Sequence, residues 1–132
     1  MKKYLFDVSA LLALGIVRHQ FHERVLRWIQ SESSSTFYTC SIAEIGFLRI
    51  ATQASSYAYS LPRARHVLSE IRTRSRLTVE FILDSNDVSF LPGWVKASGQ
   101  ITDGHLAGLA LRNGALLATL DEGIPGAFLI PF

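Results

Sequence analysis

Short apolar runs alternate with longer segments of helical periodicity along the chain, and this alternation is the feature that most limits its fold. Runs typical of strands lie at residues 4–6, 37–40, 78–83, 115–119 and 128–130, and helical segments lie at residues 9–14, 19–31, 41–52, 62–73 and 102–113. The run at 115–119 is almost wholly apolar, as in a strand that is covered on both faces. The pattern predicts an α/β fold in which helices flank a central, mostly parallel sheet.

The length of 132 residues suits a single domain, and 48% of the residues are hydrophobic, which is enough for a sizeable core. The one cysteine, Cys40, excludes an intrachain disulfide and a multi-cysteine zinc site, which suits a reducing cytoplasm. Asp7 interrupts the N-terminal apolar stretch, so we expect no signal peptide. No segment approaches the roughly 18 uninterrupted apolar residues of a membrane helix, so we expect no membrane partner.

Four acids stand in apolar or small-residue surroundings, at places where the predicted sheet could gather them. Asp7 and Asp121 follow predicted strands, and Glu44 and Asp103 lie in the first turns of predicted helices. Ligands of open α/β sheets bind beyond the carboxyl ends of the strands. Carboxylates that converge in such a setting repel one another, and a divalent cation relieves that repulsion. Hard oxygen ligands of this kind suit Mg²⁺ or Mn²⁺.

Each of these acids also has a purely structural interpretation. Asp7 could cap the following helix, and Asp121 could be a turn residue. Ser41-x-x-Glu44 has the form of a capping box, and Asp103 could be the N-cap of the helix that it opens. One acid alone is weak evidence for a site, and the combination of four carries the hypothesis.

Four segments occur in an order that resembles a known family: residues 5–14 (LFDVSALLAL), 41–44 (SIAE), 101–110 (ITDGHLAGLA) and 117–121 (LATLD). Together they resemble the PIN domain and, within that superfamily, the VapC-type toxins of bacterial toxin–antitoxin modules. The resemblance covers essentially the whole chain. Residues 57–99 carry no motif that matches closely, so the resemblance is least informative about the choice of substrate.

The resemblance implies a metal-dependent ribonuclease that hydrolyses RNA phosphodiester bonds, with Mg²⁺ or Mn²⁺ as its cofactor. It implies a cognate small antitoxin protein as a partner, and a homodimer. The apolar face at residues 47–59 could be the dimer surface, although an ordinary core explains it too. The site residues implied are four metal-binding, catalytic acids and two supporting hydroxyls: Asp7, Glu44, Asp103, Asp121, Ser9 and Thr119.

Arginine makes up ten of the thirteen basic residues, and Arg72, Arg74 and Arg76 alternate between a predicted helix and a predicted strand. In an extended segment these three side chains would point the same way and could contact successive RNA phosphates. Alternatively, these three arginines could simply lie at a solvent-exposed end of the helix.

Two other functions remain open from the sequence. A phosphatase of the haloacid-dehalogenase type also places an Asp after its first strand, but it needs a second acid two residues later, where this chain has Ser9. It also needs a positioned lysine, and Lys96 is the one lysine beyond the N-terminus. The other alternative is a PIN-like module that binds RNA or protein without cleavage. Retention of all four acids argues against it.

Overall fold

The computed structural model describes residues 1–73 and 77–132. In this part of the chain the strands are β1 (Lys3–Phe6), β2 (Thr36–Thr39), β3 (Thr78–Phe81), β4 (Leu116–Thr119) and β5 (Phe128–Leu129). The helices are α1 (Val8–Gly15), α2 (His22–Ser31), α3 (Ser41–Gln53), α4 (Leu61–Thr73) and α5 (Ile101–Arg112). The strands form one sheet in the order β3-β2-β1-β4-β5, and every pairing is parallel. The predicted α/β fold with a parallel sheet is confirmed.

Two boundaries differ from the sequence-based expectation by more than one residue. Helix α2 begins at His22 rather than at residue 19, and β3 ends at Phe81 rather than at residue 83. Strand β3 is little buried, because it lies at the edge of the sheet, and Leu83, just beyond it, is 80% exposed. Residues 84–99 are mostly irregular and contain two short 3₁₀ turns.

Strand β1 lies in the middle of the sheet and forms the centre of the core. Its Leu5 and Phe6 are completely buried, between β2 on one side and β4 on the other. Phe6 stacks on Phe37 of β2 with the ring centroids 5.3 Å apart, and Tyr4 meets Trp28 of α2 edge to face at 4.9 Å. These aromatic contacts fix β1 against its neighbours and against α2.

The apolar face at residues 47–59 contributes to this same core. Phe47 and Ala51 of α3 are fully buried within the chain, and Tyr59 is nearly so. Ordinary core packing therefore accounts for these three side chains. Within residues 1–73 and 77–132, no helix is both long enough and apolar enough to cross a membrane.

A buried arginine joins α2 to the last residues of the chain. The Arg24 guanidinium donates to the carbonyl of Ile130 through both Nε and Nη2, and Nε also lies 3.3 Å from the carbonyl of Pro131. The ring of Phe132 lies 4.0 Å from the guanidinium carbon. Backbone carbonyls thus satisfy this buried charge, and Ile130 in turn bonds to the end of β4 through its N–H.

Replacing Arg24 with Met keeps the length of the side chain but removes its donors and leaves the buried carbonyl of Ile130 without them. We expect Arg24→Met to lower the free energy of unfolding by about 1–3 kcal/mol in urea titrations. The matched control is Arg27→Met, on the exposed side of the same helix. Equal stability of the two variants would show that the contact does not hold the C-terminal residues in place.

Candidate active site

Two of the predicted acids lie at the carboxyl edge of the sheet. Asp7 follows β1 directly, and its backbone N–H donates to the carbonyl of Ala118 at 3.2 Å. Asp121 lies two residues beyond the end of β4. Strands β1 and β4 are parallel neighbours, with Phe6 paired to Ala118, so both acids belong to the same edge. This is the edge at which α/β folds bind ligands.

Asp7 caps a helix and also carries a buried carboxylate, 3% exposed. Its Oδ1 accepts hydrogen bonds from the N–H of Ala10 and the hydroxyl of Ser9, each at 2.8 Å. The first of these contacts caps α1, so the structural interpretation of Asp7 as an N-cap is correct. Burial raises the pKa of Asp7 above its ordinary value of 3.8, and the charge of Asp121 raises it further. Hydrogen bonds from Thr119, Ala10 and Ser9 offset only part of this rise in pKa.

The two hydroxyls predicted to support the site link the ends of β1 and β4. Ser9 donates to Asp7, and its Oγ accepts the N–H of Leu120 at 3.3 Å. The Oγ1 of Thr119 accepts the N–H of Asp121 at 2.9 Å, and the same hydroxyl lowers the pKa of Asp7 by hydrogen bonding. These contacts fix the two acid-bearing turns relative to each other.

Asp103 approaches the same edge from the first turn of α5. The N-cap of this helix is Gln100, without a side-chain cap, so the interpretation of Asp103 as an N-cap is wrong. Burial raises the pKa of Asp103, and the negative charges of Asp7 and Asp121 raise it further. Asp7, Asp103 and Asp121 therefore lie close enough to repel one another when all three are ionised.

Glu44 lies in the first turn of α3 and is neutralised. Cys40 is the N-cap of α3 and makes no side-chain cap contact, so the capping box of Ser41 and Glu44 does not form. The Oε2 atom accepts from the Thr39 hydroxyl at 2.9 Å and from Nε of Arg72 at 3.1 Å, and Oε1 accepts from Nη2 of Arg72 at 2.5 Å. Glu44 is thus held by a bidentate arginine contact, and among the described residues no such contact reaches the other three acids.

The donor chemistry of this edge fits a hard divalent cation. In the described part of the chain, no three His, Cys, Asp or Glu side chains stand close enough together to enclose an ion. Burial is the largest cause of the raised pKa values of Asp7 and Asp103, and neighbouring carboxylate charge raises both further. Carboxylate oxygens are the ligands that Mg²⁺ and Mn²⁺ prefer. Asp7, Asp103 and Asp121 could hold such an ion if their side chains draw closer together, and Glu44 could join them once Arg72 releases it.

The structure changes the interpretation of the arginine run. Arg72 lies in the last turn of α4 rather than in an extended segment, so the prediction that three alternating arginines share one extended face is wrong for it. Arg74 and Arg76 lie outside the described residues. A helix that leads directly into a parallel strand normally ends at the edge opposite the carboxyl ends of the strands, yet Arg72 reaches Glu44. It does so because two helices, α3 and α4, connect β2 to β3.

Sequence reasoning missed one acid at this edge. Asp84 follows β3 by three residues, and its Oδ2 lies 2.5 Å from Nε2 of His105. Burial raises the pKa of the Cys40 thiol, and the charges of Asp84 and Glu44 raise it further, so both acids lie near the end of β2. The signal was present in the sequence, because Asp84 directly follows a predicted strand, as Asp7 does.

Comparison with solved structures identifies the fold. The chain superimposes on VapC20 of Mycobacterium tuberculosis, a toxin that cleaves the sarcin-ricin loop, with a TM-score of 0.65 and 14% identity over 95% of this chain and 88% of that one. It also superimposes on a chain of VapBC2 from Rickettsia felis, crystallised with a DNA fragment from its promoter, with a TM-score of 0.61 and 15% identity over 96% of both chains. The parallel sheet and its flanking helices therefore have the same fold as these VapC structures.

Comparison of sequences gives the family. No family model matches the chain. Ribonuclease VapC38 of Mycobacterium tuberculosis is 34% identical over 125 residues, which cover 91% of this chain and 86% of that protein. Ribonuclease VapC39 of the same species is 32% identical over 126 residues, covering 91% and 89% respectively. The chain belongs to the VapC ribonuclease family.

The crowded acids should make the metal-free protein less stable as the pH rises. The pKa of Asp103 is higher in the folded state than its ordinary value of 3.8, so this group stabilises the fold at pH values below 3.8. That stabilisation is lost as the pH rises through the folded-state pKa. In EDTA at pH 7, we therefore expect Asp103→Asn to melt at a higher temperature than the wild type. The difference should shrink as the pH falls towards 4.

Asp87→Asn is the matched control, because the pKa of Asp87 is lowered whereas that of Asp103 is raised. Hydrogen bonds from Ser89 lower the pKa of exposed Asp87, so its charge adds stability above pH 3.8. Asp87→Asn should therefore not raise the melting temperature at pH 7. A lower melting temperature for Asp103→Asn would mean that Asp103 stabilises the helix rather than repelling its neighbours.

Proposed function

We propose that this chain is a metal-dependent ribonuclease that acts as the toxin of a toxin–antitoxin pair, with residues 1–132 forming a single PIN-like nuclease domain. The observation that carries the proposal is the convergence of Asp7, Asp103 and Asp121 at the carboxyl edge of the sheet, where burial and neighbouring charge raise the pKa values of the first two. Membership of the VapC ribonuclease family supports RNA as the substrate.

The residues divide into ligands and supports. Asp7, Asp103 and Asp121 would hold the metal together with Glu44, and bound Mg²⁺ or Mn²⁺ would supply an activated water and balance charge on the phosphate. Ser9 and Thr119 orient the carboxylates through the contacts that join β1 to β4. No protein nucleophile is needed. The chain itself holds the four carboxylate ligands in place and positions the RNA.

The partners follow from the proposed role as a toxin. A toxin must be restrained in its own cell, so we propose a cognate small antitoxin, which agrees with the naming of the Rickettsia felis neighbour as VapBC2. We also propose that the toxin is a homodimer and acts in the cytoplasm, where its RNA substrate is found.

One contact argues against a phosphatase of the haloacid-dehalogenase type. The position two residues after Asp7 is Ser9, and its hydroxyl donates to Asp7 Oδ1 instead of presenting a second acid. Metal-dependent cleavage of bulk RNA without hydrolysis of p-nitrophenyl phosphate distinguishes the ribonuclease from both alternatives. Binding of RNA without cleavage would instead support the non-catalytic module.

The central prediction concerns Asp7→Asn. Asparagine is as good an N-cap as aspartate, so α1 and the fold should persist, but one negative ligand is lost. We expect RNA cleavage in Mg²⁺ to fall at least about 100-fold, beyond the effect of losing a residue that merely supports a metal ligand. Cleavage is measured on a 5′-labelled RNA under single-turnover conditions, and circular dichroism checks the fold.

Glu23→Gln is the control for this prediction, since Glu23 is an exposed acid on α2. It should cleave RNA at the wild-type rate. If folded Asp7→Asn cleaves as fast as the wild type, the assignment of the metal site is wrong.

A further inference from the structure

Glu44 differs from the other three acids in having a cation of the chain itself on its carboxylate. Arg72 contacts both carboxylate oxygens, at 3.1 Å from Nε to Oε2 and 2.5 Å from Nη2 to Oε1. Within residues 1–73 and 77–132, Asp7, Asp103 and Asp121 form no ion pair. One of the four acids is therefore neutralised and three are not.

The two partners of this ion pair differ in how firmly they are held. The Glu44 side chain is 13% exposed and is also fixed by the Thr39 hydroxyl. The Arg72 side chain is 41% exposed and sits in the last turn of its helix. The arginine is thus the partner that can move away, and the carboxylate stays where it is.

Arg72 has a second support that does not depend on Glu44. Its guanidinium carbon lies 4.8 Å from the centre of the Phe81 ring, at the end of β3. A cation above an aromatic face is attracted to it without any acid. An open groove between α3 and α4 borders the pair, and Arg65, Ser69 and Thr73 are among the residues that line it. A guanidinium that leaves Glu44 therefore has both a support and free space at the same edge.

We propose that Arg72 is an internal counter-ion of Glu44, which it releases when a divalent cation binds, and that the freed guanidinium then contacts an RNA phosphate. Both oxygens of Glu44 are engaged in the bidentate pair, so a cation and Arg72 compete for the same carboxylate. Carboxylate and phosphate offer the guanidinium the same paired oxygen geometry, so the exchange keeps its hydrogen bonds satisfied. The inference rests on the proposed function and specifies how one of its four acids becomes available.

The first test measures metal binding alone, without RNA. Mn²⁺ is titrated calorimetrically into the wild type and into Arg72→Gln, Arg72→Lys and Arg65→Gln. Arg72→Gln should bind Mn²⁺ about three- to fivefold more tightly, the effect of removing a partly exposed competing ion pair. Arg72→Lys, which keeps the charge but not the bidentate contact, should fall between Arg72→Gln and the wild type.

Arg65→Gln is the matched control, because it removes an arginine from the same groove that has no hydrogen bond to Glu44 in the described contacts. It should bind Mn²⁺ with nearly the wild-type affinity. An equal gain in both glutamine variants would mean that general electrostatics, and not competition for Glu44, sets the affinity, and this result would overturn the proposal.

The second test measures RNA binding in Ca²⁺, which is used to block cleavage, at several salt concentrations. Loss of one phosphate contact on a single strand should reduce the slope of log affinity against log salt by about 0.7 in Arg72→Gln. An unchanged slope would overturn the role of Arg72 in RNA contact. Melting curves confirm that each variant is folded, and Arg72→Met, which likewise removes the charge, carries the test if Arg72→Gln is not.

Different results would overturn the counter-ion role of Arg72 and the proposed ribonuclease activity. Wild-type protein that cleaves RNA, combined with unchanged Mn²⁺ affinity in Arg72→Gln, would overturn the counter-ion role and leave the ribonuclease intact. Wild-type protein that neither binds Mn²⁺ nor cleaves RNA would overturn both.

Discussion

The parallel pairing of β1 with β2 and β4 is the constraint on which the rest of the structure depends. Because Tyr4, Leu5 and Phe6 of β1 are buried between these neighbours, the residue that follows the strand emerges at the carboxyl edge, beside the ends of β2 and β4. Asp7 then uses one oxygen to cap α1 and to accept the Ser9 hydroxyl. The same carboxylate therefore starts a helix and lies at the edge where we propose the metal site, so its role as an N-cap does not exclude the proposed functional one.

Charge balance gives this edge its chemical character. Burial raises the pKa values of Asp7 and Asp103, the charge of Asp121 raises both further, and the charge of Asp7 adds to the rise for Asp103. Glu44, by contrast, is compensated by Arg72. A family of enzymes that handles a polyanion with acidic residues needs positive charge at such an edge, from a metal or from arginine. The chain supplies one such charge itself, from the end of α4.

Sequence reasoning succeeded where local chemistry decides the outcome. The short apolar runs predicted the strands, and acids directly after strands predicted Asp7 and Asp121 at one edge. It failed where distant contacts decide. The capping box at Ser41 and Glu44 does not form, because Glu44 bonds to Thr39 and to Arg72, which is 28 residues away. Asp84 was missed, although it lies at the same edge and pairs with His105, 21 residues away.

The sequence by itself determined the order of strands and helices, the burial of β1 and the kinds of side chain available for a site. These depend on periodicity and on residue type, which are local properties. Only the tertiary structure decided which acids lie close enough to affect one another's charge and which one pairs with an arginine. It also decided that the end of α4 lies beside Glu44. Such pairings depend on how two consecutive helices cross between β2 and β3. That crossing is set by the packing of α3 and α4 as a whole and by no single motif.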